Sequence, residues 1–551
     1  MATNAPKKRV AIIGAAASGL PAIRHALLYD LEPVCFELTG EVGGLWRFKE
    51  GKRVTKGVLM SSVMRTTVIN TSKEMTAYSD FPPAAEKPNF MPHHEMLDYL
   101  ESYAKHHNLH KWIRFHHKVE TIERHPGYKE NGKWNVTFLD ESDNRHTETF
   151  DAVLLANGHH SEPRWPAPFP GQENFKGTII HSHDYTTHQG LEDKVVVVVG
   201  IGNSGGDVAV ELSRIAKQVY LSTRRGTWIC NRLIDGGKPF DSALNSRKQL
   251  YLSELLPERV KNYLGEKMLS EKFDHDAYGL KPKHRLYGAH PTVNDELPNR
   301  LANRTVKVKS NIKEYTENGI IFDDGTTVPH VDTVIYCTGF KFNFPLVENG
   351  NLIPVSDNVI TLYMNMFAPE LSDHNSIAIL GLVQPWGSIM PISEMQARVF
   401  YDAFTGNTKL PDRDTMNIYV SKRRDSLLHR YVNTPRHTIQ VDYSKYMDEL
   451  ADLIGAKPEI RKLALKDPLL AWKVFSGPAT SYTYRLIGPK KWDGARDAIF
   501  TTEYRILAGM APEGKISELK TKLDNQNNNN GVYGVAALGI LLTFIYLLFS
   551  S

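Results

Sequence analysis

Two runs of hydrophobic residues, each followed by a glycine-rich turn, dominate the hydrophobic pattern of the chain. Residues 195–199 are five consecutive valines, and residues 8–13 (KRVAII) form a shorter run after a basic start. Uninterrupted β-branched residues are typical of a strand that is buried on both faces of a parallel sheet. Each run leads into a glycine-rich turn and a helical pattern, so the sequence predicts two strand–turn–helix units.

Further segments predict the other elements of an α/β protein. Residues 95–107 have the pattern of an amphipathic helix, and residues 134–139 that of a strand. Residues 151–156 (DAVLLA) and 331–340 (VDTVIYCTGF) are matching strands, each ending in a turn. We expect these two strands at sheet edges, where the chain crosses between domains.

Length, charge and cysteine usage exclude several classes of protein. The chain has 551 residues, which exceeds one ordinary domain, and its net charge of +4 is too small to indicate nucleic-acid binding. Cys35, Cys230 and Cys337 are far apart and form no CxxC pair, which disfavours a disulfide framework, a zinc ribbon and a redox dithiol. No HExxH or His/Cys set is present, so no metal site is predicted.

The two ends of the chain differ in hydrophobicity. The N-terminal residues contain no signal-peptide core, so we expect the bulk of the chain to stay in the cytosol. Residues 532–549 (VYGVAALGILLTFIYLLF) are 18 residues without a charge, and they follow the polar stretch NQNNNNG. As a helix they would span ~27 Å, close to the thickness of a bilayer core. A membrane anchor is therefore predicted, with a buried core helix as the alternative.

The first glycine-rich turn has the spacing of a dinucleotide-binding site. GAAASG occupies residues 14–19, and Glu37 ends the next strand, 23 residues after Gly14. In this arrangement the helix start binds the pyrophosphate and the acid accepts from a ribose hydroxyl. Ala16 replaces the second glycine of the pattern, and we expect its methyl group to crowd the ligand. GGLW at residues 43–46 suggests a second close approach to the ligand, although an ordinary turn with a buried tryptophan would also account for it.

The second glycine-rich turn follows the valine strand and differs from the first in one charge. Gly200, Gly202 and Gly205 complete the pattern, and Arg224 lies 24 residues after Gly200. A guanidinium group pairs with a 2′-phosphate through two hydrogen bonds, so this turn predicts NADP(H). A surface arginine is the alternative. Residues 202–206 also match the GxSxG nucleophile elbow of hydrolases, but an elbow leaves Gly200 and Arg224 without a role.

Two nucleotide sites in one chain indicate electron transfer between them. A nicotinamide delivers hydride, and the simplest second dinucleotide is FAD. Reduced flavin can then pass electrons to a dithiol, to a protein carrier or to O₂. The missing CxxC pair removes the first of these outcomes, and the residues leave the other two open.

At this point the motifs match a known family. Phe175, Gly177, His181 and Tyr185 fit FxGxxxHxxxY immediately before the second turn. Together with GNSGGD, NDELPNR, LVQPWGSI and the hydrophobic tail, they make the sequence resemble the animal flavin-containing monooxygenases, the N-oxide-forming dimethylaniline monooxygenase type. The sequence departs from the family pattern at Ala16 and at Asn157, which replaces the usual threonine before Gly158.

The resemblance implies an α/β fold with two dinucleotide-binding, Rossmann-like domains. The NADPH domain, residues 166–340, is inserted into an FAD domain made of residues 1–165 and 341–525. The second FAD part includes a C-terminal helical region, and residues 532–549 form the transmembrane anchor.

The resemblance also implies FAD and NADPH as cofactors, and it assigns site residues. Asn70 is the expected catalytic residue, which hydrogen-bonds the reaction centre between flavin and NADP⁺. The expected FAD ligands are Gly14, Ala15, Ala16, Ala17, Ser18, Gly19, Glu37, Gly44, Leu45, Trp46, Asn70 and Thr71. The expected NADP ligands are Ile69, Asn70, Gly200, Gly202, Asn203, Ser204, Gly205, Gly206, Arg224 and Gln384.

The implied activity is NADPH- and O₂-dependent oxygenation through a C4a-hydroperoxyflavin. The expected substrates are small nucleophiles of the xenobiotic type, amines and sulfides, which become N- and S-oxides. Baeyer–Villiger oxygenation of ketones is the first alternative, although Tyr185-Thr186 in place of a Trp-Pro pair disfavours its typical form. An NADPH oxidase that makes hydrogen peroxide and a non-enzymatic, membrane-tethered NADP-binding scaffold are the others. The expected location is the endoplasmic reticulum membrane, with the catalytic part facing the cytosol; a homo-oligomer stays open.

Overall fold

The computed structural model describes residues 6–51, 53–519, 521 and 539. The strands of these residues, in chain order, are β1 (Arg9–Ile13), β2 (Glu32–Phe36), β3 (Val54–Thr55), β4 (Val58–Leu59), β5 (Ile113–Arg114), β6 (Lys118–Arg124), β7 (Trp134–Leu139), β8 (Arg145–Phe150), β9 (Ala152–Leu155), β10 (Glu162–Pro163), β11 (Thr178–His181), β12 (Val195–Val199), β13 (Gln218–Ser222), β14 (Ile229–Cys230), β15 (Thr292–Val293), β16 (Val306–Lys309), β17 (Ile312–Tyr315), β18 (Ile320–Phe322), β19 (Thr327–Val328), β20 (Thr333–Tyr336), β21 (Phe340–Lys341), β22 (Ile377–Ile379), β23 (Gln384–Trp386) and β24 (Gln440–Asp442).

Helices connect and cover these strands. In chain order they are α1 (Gly19–Leu28), α2 (Lys73–Thr76), α3 (His93–His106), α4 (Tyr128–Asn131), α5 (Asn203–Leu212), α6 (Phe240–Leu244), α7 (Arg247–Glu254), α8 (Glu258–Lys272), α9 (Leu297–Ala302), α10 (Ile389–Phe404), α11 (Arg413–Arg430), α12 (Tyr443–Leu453), α13 (Ile460–Lys466), α14 (Pro468–Ser476) and α15 (Ala495–Ala508).

Two parallel sheets form the framework of the molecule. The first has the strand order β22-β9-β1-β2-β5, and the second has the order β11-β20-β12-β13-β16. Strand β22 pairs with β9, although the whole second sheet lies between them in the chain. The second sheet is therefore inserted between two parts of the first. The predicted α/β class with two Rossmann-like sheets is confirmed, whereas the exact domain boundaries stay a prediction.

The prediction that residues 151–156 and 331–340 form edge strands is wrong. Strand β9 lies between β22 and β1, and β20 lies between β11 and β12. Every residue of both strands is buried, as expected for strands with neighbours on both sides. The chain crosses between the sheets just beyond these strands, where β10 pairs antiparallel with β21.

The valine run is hydrophobic throughout because β12 separates two parts of the core. Val196 and Val198 pack into one hydrophobic cluster with α5, while Val197 and Val199 pack into another on the opposite face. Side chains of a strand alternate between the faces of its sheet, so a strand covered on both faces needs no polar positions. The same alternation divides β1 between two clusters.

The predicted membrane anchor lies almost wholly outside the described residues. Of residues 532–549, the structure describes Gly539 alone. None of the helices in the described part of the chain combines the length and the hydrophobicity that crossing a membrane requires.

Candidate active site

A glycine turn joins β1 to α1 at the carboxyl end of the first sheet. Gly14 has φ +103°, and a Cβ there would lie 2.7 Å from the carbonyl oxygen of Ala156. A Cβ on Gly19 would lie 1.8 Å from the carbonyl oxygen of Gly14. Only glycine fits both positions, so the chain doubles back tightly and presents the first turn of α1 to a ligand.

Ala16 packs against Gly44 of the GGLW motif at residues 43–46. A Cβ on Gly44 would come 2.6 Å from the Ala16 methyl carbon, and the amide of Gly43 donates to the carbonyl of Ala15 (3.2 Å). The absence of a side chain at Gly44 therefore makes room for the methyl group. The two motifs form one surface, on which Leu45 and Trp46 follow Gly44 in a short helical turn.

Glu37 lies directly after β2 and is buried against the glycine turn. The Ala15 amide donates to its Oε2 (2.8 Å), while the amide and hydroxyl of Thr39 donate to its Oε1 (2.9 and 2.7 Å). A carboxylate has about four lone-pair positions, so these bonds leave acceptor capacity for a ribose hydroxyl. The carboxylate is thus fixed at the position predicted for the FAD ribose.

Lys49 was missed in the sequence, because no fingerprint includes it. Its Nζ donates to the carbonyl oxygen of Gly44 (3.0 Å) and forms no salt bridge within the part of the chain that the structure describes. Burial lowers the pKa of this ammonium group, and the negative charge of Glu37 is the strongest opposing influence. A cation between the ribose acid and the glycine turn is suited to neutralising a pyrophosphate.

The second turn repeats the geometry of the first. Gly200 has φ +106°, and a Cβ there would lie 2.6 Å from the carbonyl oxygen of Cys337. A Cβ on Gly205 would lie 1.9 Å from the carbonyl oxygen of Gly200. Helix α5 begins at Asn203, directly after Gly202. Ser204 is exposed in its first turn, where its backbone and the dipole of the helix favour an anion.

Two arginines flank this second turn. Arg224 is exposed just beyond β13, as predicted, and Arg436 approaches from the C-terminal part of the chain. A Cβ on Gly202 would lie 3.2 Å from Nη2 of Arg436. Arg436 is solvent-accessible in a cleft, where desolvation and then the positive charge of Arg224 lower its pKa. Neither guanidinium forms a salt bridge to a described residue, so the cleft has positive charge to offer a phosphate.

Asn70 is held by Arg232, which belongs to the inserted segment that carries the second sheet. The Nη2 of Arg232 donates to Oδ1 of Asn70 (2.7 Å), and its Nε donates to the carbonyl of Ile69 (3.3 Å). The side-chain amide nitrogen of Asn70 has no hydrogen-bond partner among the described residues. Arg232 therefore fixes the amide orientation and leaves both of its N–H groups free to donate to a ligand.

Arg232 is itself fixed by Asp295. The backbone amide of Arg232 donates to Oδ1 of Asp295 (2.8 Å), and Nη1 donates to Oδ2 (2.9 Å). Sequence reasoning missed both residues as site residues. The one available signal was that Asp295 lies in NDELPNR, a motif that contributed to the family resemblance.

Other predicted ligands are placed less directly. The hydroxyl of Thr71 pairs with that of Thr76 (2.8 Å), and Oδ1 of Asn203 accepts from the amide of Val293 (2.9 Å). Gln384 lies on β23, opposite Gln440 of β24, and forms no hydrogen bond with Asn70. Asn203 therefore has its backbone, rather than its side-chain oxygen, available to a pyrophosphate.

His181 of the FxGxxxHxxxY motif is a structural residue. It is fully buried, and its Nδ1 accepts from the amide of His183 (3.0 Å). Burial lowers the pKa of His181 to about 4, so the imidazole is neutral at pH 7. Its ring packs near Trp165 and Phe340, beside the crossover strands β10 and β21. The His181 ring therefore packs where the chain crosses between the two sheets.

Comparison with known proteins identifies the family. A sequence model described as "Flavin-binding monooxygenase-like" matches residues 7–549. The chain belongs to this family. It is 46% identical over 501 residues to flavin-containing monooxygenase 5 of Rattus norvegicus, covering 91% of this chain and 92% of the relative.

The similarity extends to other members of the family. The chain is 42% identical over 501 residues to "Dimethylaniline monooxygenase [N-oxide-forming] 2" of Oryctolagus cuniculus, covering 91% of this chain and 92% of the relative. Among solved structures, S-allyl-L-cysteine S-oxygenase from Allium sativum superposes with a TM-score of 0.61 at 24% identity, covering 84% of this chain and 92% of that one. That structure supports the fold alone.

Membership makes the chain a flavin-dependent monooxygenase, an oxidoreductase whose cofactors are FAD and NADPH. Its residues fit these cofactors, because in each glycine turn the backbone passes too close to a carbonyl group for a Cβ and places the start of a helix where its N–H groups can bind a pyrophosphate. The first turn lies beside the Glu37 carboxylate, and the second lies beside Arg224 and Arg436.

Proposed function

We propose that the protein transfers one atom of O₂ to the nitrogen of amines or the sulfur of sulfides, including xenobiotic ones. In the balanced reaction, substrate, O₂, NADPH and a proton give the N- or S-oxide, water and NADP⁺. The N-oxide-forming activity in the name of the rabbit relative supports the substrate class. The single observation that carries the proposal is the Asn70 amide, whose oxygen is held by Arg232 and whose N–H groups have no partner among the described residues.

We assign the cofactors to the two turns by their charges. Gly14–Gly19, Glu37, Gly44 and Lys49 would bind FAD, because the acid accepts from a ribose and the ammonium neutralises the pyrophosphate. The turn at residues 200–206, with Arg224 and Arg436, would bind NADPH. When bound, FAD supplies the redox chemistry by accepting hydride from NADPH and activating O₂.

Asn70 would act as a hydrogen-bond donor at the reaction centre. Its N–H groups are oriented by Arg232 before any ligand arrives, and such preorganised donors stabilise developing negative charge without further reorganisation. No protein nucleophile is required, because the substrate itself supplies the attacking electron pair. Ile69, Thr71 and Gln384 would line the same space.

Three alternatives make different products. A Baeyer–Villiger enzyme would convert a ketone to an ester, an NADPH oxidase would give hydrogen peroxide alone, and a scaffold would bind no flavin. Tyr185, at the position where the Trp-Pro pair was sought, is buried in the core of the second sheet. Because Tyr185-Thr186 stands in place of the Trp-Pro pair, we place amine and sulfide oxygenation first.

Product analysis tests the proposed function. The purified protein with its bound yellow flavin is supplied with NADPH in air and a tertiary amine, a thioether or a ketone. We expect N-oxide or S-oxide in amounts approaching the NADPH consumed. Ester from the ketone alone, peroxide alone or a colourless protein would each overturn the proposal and select one alternative.

Removing either arginine of the NADPH cleft is expected to weaken the preference for the phosphorylated cofactor. Arg224→Ala or Arg436→Ala should raise the KM for NADPH about tenfold or more, because each loses a charged hydrogen bond to phosphate. The KM for NADH should change little in Arg224→Ala. Steady-state kinetics with both cofactors measure this, and Arg225→Ala is the control with an equal loss of charge. An unchanged preference in both variants would assign the arginines to structure.

We propose further that residues 532–549 anchor the protein in the endoplasmic reticulum membrane, with the catalytic part in the cytosol. Support comes from the 18 residues without charge. Alkaline extraction of membranes should leave the full chain in the pellet. A chain that ends at residue 525 should be released. Release of both would refute the anchor.

A further inference from the structure

A short segment joins the NADPH turn to the catalytic asparagine. Its first part, Thr292–Asn294, contacts the turn through three bonds. The amide of Val293 donates to Oδ1 of Asn203 (2.9 Å), and Nδ2 of Asn294 donates to Oδ1 of Asp207 (2.9 Å). The hydroxyl of Thr292 donates to the carbonyl of Ile201. These bonds fix the segment to the first turn of α5 and the loop before it.

The next residue continues the connection toward the reaction centre. Asp295 accepts two hydrogen bonds from Arg232, and Arg232 donates to both the side chain of Asn70 and the carbonyl of Ile69. Asn70 and Arg232 are 162 residues apart in the chain. Asn70 lies in the part of the chain before the second sheet, and Arg232 lies in the inserted segment that carries that sheet. The path from the phosphate-binding turn to the Asn70 amide therefore consists of hydrogen bonds, together with the peptide bond that joins Asn294 to Asp295.

The segment is packed tightly enough to transmit a displacement. Thr292 and Asn294 are buried, and Oδ1 of Asn294 accepts from the amides of Glu296 and Leu297 at the start of α9 (3.0 and 2.7 Å). A Cβ on Gly206 would lie 3.2 Å from the Thr292 methyl carbon. The segment packs directly against α5, and no gap separates them. A shift of the first turn of α5 would therefore displace the segment as well.

The charges around the segment support the connection. Burial raises the pKa of Asp207 to about 6, and the positive charge of Arg232 is the strongest opposing influence. Glu211 and Asp295 face the same carboxyl group and add to the rise. Arg232 thus interacts with carboxylates on both sides of the segment, at Asp207 on α5 and at Asp295.

We propose that Asn294, Asp295 and Arg232 form a relay that couples NADP⁺ binding at the second turn to the orientation of Asn70. Asp295 is then a positioning residue for oxygen transfer, and it acts through Arg232. The predicted effect of the relay on oxide yield rests on the proposed function, whereas its predicted effect on NADP⁺ affinity does not. Coupling is reciprocal by thermodynamic linkage, so a broken relay also changes the affinity for NADP⁺.

Asp295→Asn tests the relay. An amide at this position turns a donor toward the Arg232 guanidinium and removes the charge that fixes it, while the side-chain volume is unchanged. We expect the yield of oxide per NADPH to fall about fivefold, hydrogen peroxide to rise in proportion, and NADP⁺ affinity to fall about fivefold as well. NADP⁺ binding is measured by the perturbation of the flavin spectrum, which requires no turnover.

A double-mutant cycle separates positioning from a general structural effect. In an Asn70→Ala background, Asp295→Asn should leave the already reduced product yield unchanged, because the relay has lost its target. Glu296→Gln is the matched control: Glu296 is the neighbouring carboxylate, and it pairs with Arg214 and Arg300 instead. If Asp295→Asn fails to fold, Arg232→Lys tests the same connection. Lysine keeps the positive charge but lacks the planar guanidinium that donates to Ile69, Asp295 and Asn70 together.

The outcomes distinguish this proposal from the proposed function. If the wild type makes no oxide from any test substrate, the proposed function fails, and the NADP⁺ affinity of Asp295→Asn still decides the relay. If Asp295→Asn and Arg232→Lys bind NADP⁺ and couple like the wild type, the relay is refuted. An effect of Asp295→Asn that is equally large in the Asn70→Ala background also refutes it.

Discussion

Replacing Asn70 by alanine is expected to lower the rate of oxide formation about 100-fold while FAD stays bound. Removing one preorganised donor from a reaction centre costs about 2.7–4 kcal/mol of transition-state stabilisation. The Asn70 amide is such a donor, because Arg232 orients it and no described residue uses its N–H groups. We expect FAD to stay bound, because the variant leaves the proposed FAD residues Gly14, Glu37 and Gly44 unchanged. NADPH consumption, oxide and peroxide are measured together, and peroxide should become the main product.

Two further variants of the same segment serve as a comparison and a control for the Asn70→Ala experiment. Asn70→Asp has the same shape but cannot donate when ionised, so it should resemble the alanine variant. Thr66→Val is the control, since Thr66 is exposed on the same segment and its hydroxyl donates to Glu211 and to no other described residue. Normal oxide yield in Asn70→Ala, with flavin bound, would remove Asn70 from the reaction centre.

Local sequence patterns predicted the two glycine turns, because glycine geometry is a local property. The spacing of Gly14 and Gly200 required turns with positive φ, and both residues have it. The buried strands before them and the helices after them were predicted from hydrophobic periodicity. The place of a strand in its sheet could not be predicted from local sequence, because β9 and β20 pair with strands from distant parts of the chain.

Residues that act across the domains could not be found from spacing. Arg232 contacts Asn70, and Arg436 lies against Gly202, only because the two sheets pack together. No local pattern records such a contact, and isolated arginines are ordinarily surface residues. Ala16 likewise packs against a residue from another segment, Gly44, and the crowding of the ligand by its methyl group stays a prediction. The ligand roles of these residues stay predictions.

The Asn70 segment depends on a second long-range contact, a buried ion pair beneath α2. Glu74 is fully buried, and its carboxylate accepts from Nε and Nη2 of Arg505 on α15 (2.9 and 2.8 Å). The hydroxyl of Tyr482 donates to the same carboxylate (3.0 Å). Because α2 begins three residues after Asn70, this pair fixes the end of the segment that carries Asn70 to α15.

Replacing Glu74 by alanine is expected to lower the free energy of unfolding by about 3–5 kcal/mol. The variant leaves the Arg505 guanidinium buried without its counter-charge, and the desolvation cost of that charge is no longer offset. Urea unfolding of the holoenzyme with excess FAD, followed by circular dichroism, measures the change. Glu459→Ala, which breaks an exposed pair with Lys462, should change stability by less than about 1 kcal/mol.

A double replacement shows whether the unpaired charge is the cause. Glu74→Leu with Arg505→Met removes both charges and keeps apolar volume, so it should recover most of the lost stability. If it is no more stable than Glu74→Ala, packing rather than charge explains the loss. If Glu74→Ala itself unfolds like the wild type, the ion pair does not anchor α2. The coupling of oxygenation to NADPH should follow stability in this series, because the same pair positions the segment that carries Asn70.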